Sequence, residues 1–460
     1  MRDKLLPSLQ LVYLAICSFG IQFASSLQMA NTSSVYKFLG VESSSLPYLW
    51  LAAPIAGLIM QPLIGQMSDD TLTRYGKRRP YLLTWGIITC LGFCLLPLVD
   101  SIQFAVILFW LIGFSINACM EALRALTGDI VPNLQKTQAF SWQTILAGIG
   151  AGFAAILPWL LEPHVAHWHS FFTFTKIPFS IQAAFLLGGI LLLSSIIWTC
   201  QSVKEKRPTH QELLKKQKES KQTNTVRRLF NFAHQIITNL NHLPKIIKDF
   251  IGIQIFTWVS LFCLWLFFSL ALAQHVYGLP IGADIIHNPE YKNIMTKSAV
   301  KTDFYFSIYQ FTSVIYAIAL PKLTQIIKTK LLYGFSLLIG AISLISITFC
   351  YHNFAMIMAM FGIGIMWGGI TVLPYAMVSA EVPRSKMGIY LGIFNITITL
   401  PQILVGVIIG PIFIHIFHRH AIYVILIAGI SMLIASLMTL SQVTSLRIYL
   451  LRIFNKQCQI

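Results

Sequence analysis

Twelve long apolar runs, separated by polar segments, constrain the fold of this chain more than any other feature. Each run is close to the roughly 20 residues that a helix needs to cross the hydrocarbon core of a bilayer. Only 11% of the 460 residues are charged, compared with about 25% in soluble domains. The sequence predicts an all-α membrane protein with twelve transmembrane helices, near residues 9–30, 47–66, 81–99, 103–127, 138–161, 180–200, 250–273, 303–320, 331–350, 354–376, 388–413 and 420–440.

Lys and Arg are distributed unevenly between the two sets of loops. If both termini are cytoplasmic, about 26 of the 33 basic residues lie on the inner side, as the positive-inside rule expects. Basic loops beside an anionic leaflet also explain the formal charge of +17, so no nucleic acid partner is required. The first run has no small-residue cleavage site and is interpreted as a retained helix. We expect a multi-pass protein of the plasma or inner membrane with both termini cytoplasmic.

The eight cysteines are scattered, mostly within the apolar runs or at their ends. Their spacing matches neither a disulfide framework nor a zinc site. The runs contain no nucleophile elbow and no His-rich metal motif. We therefore expect no metal site, no cofactor and no enzymatic activity.

The stretch GQMSDDTLTRYGKRRPYLL, residues 65–83, places four basic and two acidic residues between two apolar runs. Gly65 and Gly76 would allow a short loop to join two antiparallel helices. Asp69 can accept hydrogen bonds from the basic cluster or cap a neighbouring helix end. The charges alone would suit any cytoplasmic loop, but the order of glycines, acid and basic cluster is more specific.

This order resembles the signature loop of the major facilitator superfamily, and flanking segments extend the likeness. They resemble the sucrose symporter branch of the glycoside-pentoside-hexuronide cation symporters. The matching segments are GIQFASSLQM at 20–29, LWLAAPIAGLIMQPLIGQMSD at 49–69, RYGKRRP at 74–80, RALTGDI at 124–130 and GIFNITITLPQILVGVIIGP at 392–411. The resemblance implies a monomeric alternating-access transporter for a glycoside or other small sugar, and leaves open whether transport is coupled to protons.

The same resemblance implies the major facilitator fold, in which two six-helix halves are related by pseudo-symmetry. Residues 1–200 would form the first half and residues 250–445 the second, followed by a basic cytoplasmic tail at 446–460. Between the halves, 201–249 would be a cytoplasmic loop, in which VRRLFNFAHQIITNLNHL suits either an interfacial helix or an amphipathic linker. The segment 274–302 is expected to be the longest outer loop.

In the family, the charged loop acts as a latch of the cytoplasmic gate. The resemblance therefore implies gate roles for a set of charged residues and one glycine in this loop and in the RALTGDI segment. These residues are Asp69, Arg74, Gly76, Arg78, Arg79 and Asp129.

Polar residues within the spans are candidates for substrate contacts, because a charge at the bilayer centre costs about 2.5–3.5 kcal/mol on insertion scales. Glu121 and Arg124 lie three residues apart in one run, and a mutually neutralising pair is the structural alternative. The resemblance implies that Arg124 binds sugar. Other residues coincide with the family pattern, although each alone would suit helix packing: Gln22, Gln28, Asn117, Trp258 and Asn395.

One departure from the family bears on coupling. The aspartate that the family places eleven residues before the arginine, implied to carry the proton, is Gly113 here. Glu121 lies about 12 Å further along the helix and about 80° around it, and is the candidate replacement. In the alternative, the chain is a facilitator and Glu121 only neutralises Arg124. Two further functions are alternatives to sugar transport: a carrier of a non-sugar polar metabolite and a transporter-like receptor.

Overall fold

The computed structural model describes residues 5–38, 52–165, 179–205, 238–239, 242–283 and 288–443. Within these ranges the chain forms twelve long α-helices, and each overlaps one of the twelve apolar runs. The helices are α1 (Ser8–Phe38), α2 (Ala52–Asp70), α3 (Arg79–Leu95), α4 (Ile102–Ile130), α5 (Lys136–Val165), α6 (Phe179–Ser202), α7 (Lys245–His275), α8 (Pro289–Ile326), α9 (Thr329–Ser346), α10 (Asn353–Glu381), α11 (Met387–His415) and α12 (Ala421–Ser441).

Nine helices among the described residues are long and apolar enough to cross a membrane by length and composition. The prediction of an all-α membrane protein is therefore confirmed. The predicted interfacial helix lies almost wholly outside the described residues, and the basic tail at 446–460 lies outside them altogether.

Helix α8 begins earlier than its apolar run indicates. Pro289 occupies the first turn, and the Asn288 side chain accepts hydrogen bonds from the backbone N–H groups of Glu290 and Tyr291, which is a favourable way to start a helix. The prediction of a loop through residue 302 was therefore wrong from Pro289 onward. At 38 residues the helix is about 57 Å long, well beyond the roughly 30 Å core of a bilayer.

The chain divides into two compact units. The first contains Met1–Pro244 and Val378–Thr399, and the second contains Lys245–Met377 and Leu400–Ile460. In the first unit, Phe93 and Phe185 are fully or almost fully buried and pack edge to face at 5.2 Å. In the second, Phe250 and Tyr333 are fully buried, with ring centroids 5.9 Å apart. Each unit thus contains a buried aromatic pair of its own.

Candidate functional site

Arg78 is the centre of the charged loop between α2 and α3. It precedes the first residue of α3, and its side chain is fully buried. Its guanidinium forms ion pairs with Asp69 at the end of α2 and, at 2.9 Å from Nε to Oδ2, with Asp129 near the end of α4. Burial lowers the pKa of Arg78, but the two carboxylates outweigh this effect and raise the pKa above its ordinary value. The guanidinium therefore remains charged and joins three helices.

Asp69 also binds a distant part of the chain. Its carboxylate accepts hydrogen bonds from the backbone N–H of Gly388, at 3.2 Å, and of Ile389, at 2.8 Å. Both groups lie in the first turn of α11, where N–H groups have no partner within the helix and favour a negative charge. Gly65 and Gly388 allow this approach, because a Cβ on either would overlap the backbone of the other. Asp69 thus caps α11 while it holds Arg78.

Gly76 and Glu205 fix the start of α3. Gly76 has a φ of +108°, in the region that favours glycine, and closes a tight turn with Thr73. The Glu205 carboxylate accepts hydrogen bonds from the backbone N–H of Lys77, at 2.9 Å, and of Arg78, at 3.1 Å. Burial raises the pKa of Glu205, and these two hydrogen bonds partly oppose the rise. The sequence did not predict this role; the only signal was an acid among lysines just after an apolar run.

The other two arginines of this segment, Arg74 and Arg79, differ from Arg78 in their contacts. Arg74 is exposed. Arg79 begins α3, and its Nε and Nη2 atoms are buried without a hydrogen-bond partner among the described residues. Among the described residues, the ion pairs at this loop join Asp69, Arg78 and Asp129 and do not include Arg74 or Arg79.

Replacing Gly76 with alanine is expected to destabilise the protein by about 1–3 kcal/mol, since an L side chain at this φ is strained. The added Cβ would also overlap the Glu205 carboxylate. The apparent melting temperature of the detergent-solubilised protein measures the effect. Gly152→Ala is the matched control, because Gly152 lies within α5 and has no atom within 4 Å of an added Cβ. Equal melting temperatures for the two variants would show that the turn does not require glycine.

A second polar group lies on α4 and α11. Asn395 donates a hydrogen bond from Nδ2 to Glu121 Oε2, at 3.0 Å, and accepts one on Oδ1 from Arg124 Nη1, at 2.9 Å. Nδ2 also donates to Leu391 O, at 2.9 Å. Because the amide contacts a donor on one side and acceptors on the other, its orientation is determined. Asn395 thus links the acid and the base that lie one helical turn apart on α4.

Glu121 is fully buried within its span. Its Oε2 is held by Asn395, but Oε1 has no hydrogen-bond partner among the described residues. A buried carboxylate oxygen without a donor disfavours the charged form, and a proton on that oxygen would remove the charge. The site therefore combines an acid suited to taking up a proton with an arginine that can donate to a ligand.

Asn117 lies one turn before Glu121 on α4. Its Oδ1 accepts a hydrogen bond from Gln61 Nε2 of α2, at 2.8 Å, and its Nδ2 donates to Gly113 O, at 2.9 Å. Gln61 Oε1 is buried and has no hydrogen-bond partner among the described residues. Gln61 was not predicted as a site residue, because its only signal in the sequence is an amide within an apolar run.

The α1 residues Gln22 and Gln28, both predicted as substrate contacts, form hydrogen bonds at different places. Gln28 Nε2 donates to Phe109 O of α4, at 2.9 Å, whereas Gln22 Nε2 donates to Ser26 within α1, at 3.3 Å. A Cβ added at Gly113 would lie 3.9 Å from the Gln28 Nε2 atom, which is ordinary contact distance. The position of the family's aspartate thus has room for at least the first atom of a side chain.

Trp258 belongs to the second unit. Its Nε1 donates to Gln254 Oε1, at 2.8 Å, and its ring packs edge to face against Trp265, at 6.2 Å, and Trp367, at 6.1 Å. The last two rings are 5.6 Å apart. The predicted site residue Trp258 is thus one member of a cluster of three indoles.

Residues 14–404 match the model of the Major Facilitator Superfamily. The sucrose transport protein SUT1 of Oryza sativa subsp. japonica is 26% identical over 215 residues, covering 41% of this chain and 38% of that protein. The aligned part thus spans about two fifths of that relative's length. The sucrose transport protein SUC4 of Arabidopsis thaliana is 22% identical over 443 residues, covering 87% of this chain and 83% of SUC4.

The fold is also found among solved structures. The human organic anion transporter MFSD10 superimposes with a TM-score of 0.65 at 11% identity, covering 94% of this chain and 100% of that chain. At this identity the likeness concerns the fold alone.

Proposed function

Because the chain belongs to the Major Facilitator Superfamily and is an integral multi-pass membrane protein, we propose that it is an alternating-access transporter for a glycoside or other small sugar. The hydrogen-bonded chain of Glu121, Asn395 and Arg124 carries this proposal, since ionisable groups buried within spans mark substrate and proton pathways. The names of the sucrose-transporting relatives support the choice of a sugar.

In this proposal Arg124 is the main contact of the sugar. Its planar guanidinium offers five N–H donors, and hydroxyl oxygens accept such hydrogen bonds. Asn395 holds one of these nitrogens and so orients the group. Further substrate contacts are proposed for residues that present amides or an aromatic face, namely Gln22, Gln28, Asn117 and Trp258.

We also propose that Glu121 carries the coupling proton. Sugar that binds the Arg124 guanidinium would weaken the electrostatic effect of this cation on Glu121, to which it is linked through Asn395. The buried acid would then favour its neutral form. The same geometry fits a facilitator in which Glu121 only balances Arg124. The acid's unpartnered Oε1 favours the coupled alternative.

The latch formed by Asp69, Arg78 and Asp129 is proposed as the cytoplasmic gate, with Gly76 shaping its loop. Arg74, at the exposed surface of the loop, and Arg79, at the start of α3, are proposed to assist it. The proposed halves are residues 1–200 and 250–445, joined by a cytoplasmic loop at 201–249, and both termini face the cytoplasm of a plasma or inner membrane. The protein is proposed to work as a monomer.

Uptake into proteoliposomes tests the proposed activity. Radiolabelled sucrose and a panel of other glycosides are expected to accumulate or equilibrate faster than in empty liposomes. A thermal-shift screen with the same sugars reports binding separately, because a ligand of the native state raises its apparent stability. Binding without uptake would identify a receptor, and neither binding nor uptake of any sugar would favour the non-sugar carrier.

Cysteine labelling tests the proposed topology. An impermeant thiol reagent added to intact cells is expected to modify Lys292→Cys, near the start of α8, and to miss Tyr75→Cys in the charged loop. Lys292 and Tyr75 are both exposed, so burial of the side chain would not explain a failure to label either position. The parent protein, with its native cysteines, sets the background. The opposite labelling pattern would invert the topology.

A further inference from the structure

A cavity of about 400 Å³ lies within the second unit, where α7 ends and α10 begins. Its wall includes Tyr277, Lys297, Lys301, Tyr305, Tyr351 and Asn353. The lysines belong to the charged first part of α8, which precedes the apolar stretch of that helix. A helix this much longer than the bilayer core places its polar end beyond the hydrocarbon region. The cavity is therefore open to water-soluble groups or lipid headgroups.

Among the described residues, the lining of the cavity carries a net positive charge. Lys297 and Lys301 are four residues apart, on one face of α8, where like charges repel. The Lys297 ammonium lies 5.0 Å from the Tyr277 ring centroid, and the Lys301 ammonium lies 4.7 Å and 5.4 Å from those of Phe304 and Tyr305. The cavity lining contains no Asp or Glu among the described residues. Neither lysine forms an ion pair with another residue in the described ranges.

The aromatic rings hold these ammonium groups in place but supply no negative charge. The wall is also fixed from the opposite side. Tyr305 is 3% exposed, and its hydroxyl donates to Asn353 Oδ1, at 2.6 Å, which joins α8 to the first residue of α10. Tyr351 packs on the His275 ring at 4.3 Å. The two cations thus face a preformed cavity of a size that is usual for small-molecule sites.

We propose that this cavity binds a small organic phosphate, with its phosphate oxygens on Lys297 and Lys301 and its body against the tyrosine rings. A phosphate monoester carries a charge of about −1.5 to −2 at pH 7 and so matches two ammonium groups. Lysine binds phosphate as a point charge. The phosphate can belong to a free monoester or to a lipid headgroup, since both present the same chemistry.

Titration of the full-length protein in a neutral detergent tests the proposal. Glycerol 3-phosphate at constant ionic strength is expected to bind saturably, as followed by calorimetry, whereas glycerol does not bind. A second titration uses short-chain phosphatidic acid in the same detergent. In whichever titration saturates, Lys297→Gln and Lys301→Gln are each expected to weaken binding by about tenfold or more, which is the loss of one charge-assisted hydrogen bond.

Two control variants separate local contacts from general charge. Lys301→Arg keeps the charge and is expected to bind within about threefold of the native protein. Lys292→Gln removes a charge from the same helix outside the cavity lining and is expected to leave binding unchanged. Binding of either phosphate that depends on the two lysines supports the site. The titration that saturates shows whether the phosphate comes from a free monoester or from a lipid headgroup. No saturable binding in both titrations, or binding that both glutamine variants leave intact, overturns the proposal.

Discussion

Replacing Arg78 with methionine is expected to destabilise the protein by about 3–5 kcal/mol, which is the usual cost of removing one partner from a buried ion pair. The change leaves the carboxylates of Asp69 and Asp129 without Arg78, the cation with which each forms an ion pair. The yield of monodisperse protein and its apparent melting temperature in detergent measure the loss.

Arg74→Met is the matched control, because it removes the same charge from an exposed position of the same loop. It is expected to change stability by less than about 1 kcal/mol, as is typical of surface charges. Arg78→Lys is expected to fall between the two, since an ammonium cannot reproduce the fork that contacts two carboxylates. If Arg78→Met is as stable as Arg74→Met, the latch is not a stabilising contact.

Replacing Arg124 with lysine is expected to weaken sugar binding by about tenfold or more, because the charge stays but the donors held by Asn395 are lost. Binding is measured by thermal shift with the sugar that the uptake assay identifies. Without ligand, the apparent melting temperature should stay close to the native value.

The same exchange at an exposed position, Arg74→Lys, is the control and is expected to leave sugar binding unchanged. Normal binding by Arg124→Lys would show that Arg124 serves the packing of α4 rather than the substrate.

The sequence predicted the helices well, because a helix that spans a bilayer needs a continuous apolar run, and such a run is visible in the local sequence. The predicted start of α8 was too late, because the first part of this helix is polar. Only the Asn288–Pro289 pair indicates the true start. The charged loop identified Asp69 and Arg78 by pattern, and RALTGDI supplied Asp129.

What the sequence did not provide is the set of contacts between distant segments. Asn395 lies 271 residues from Arg124 and 274 from Glu121, and nothing local to any of them indicates that one amide joins both. Glu205 contacts the backbone at Lys77 and Arg78 over gaps of 128 and 127 residues. The resemblance named Arg124 and Asn395, but only the fold connects them.

Sugar uptake driven by an imposed pH gradient tests whether the chain of Glu121, Asn395 and Arg124 is a proton-coupled sugar site. Native protein in proteoliposomes is expected to accumulate the labelled sugar above its external concentration. Glu121→Gln, which keeps the side chain's shape but cannot release a proton, is expected to lose accumulation while still exchanging labelled for unlabelled sugar. Absence of accumulation by the native protein, or undiminished accumulation by Glu121→Gln, would contradict proton coupling at this site.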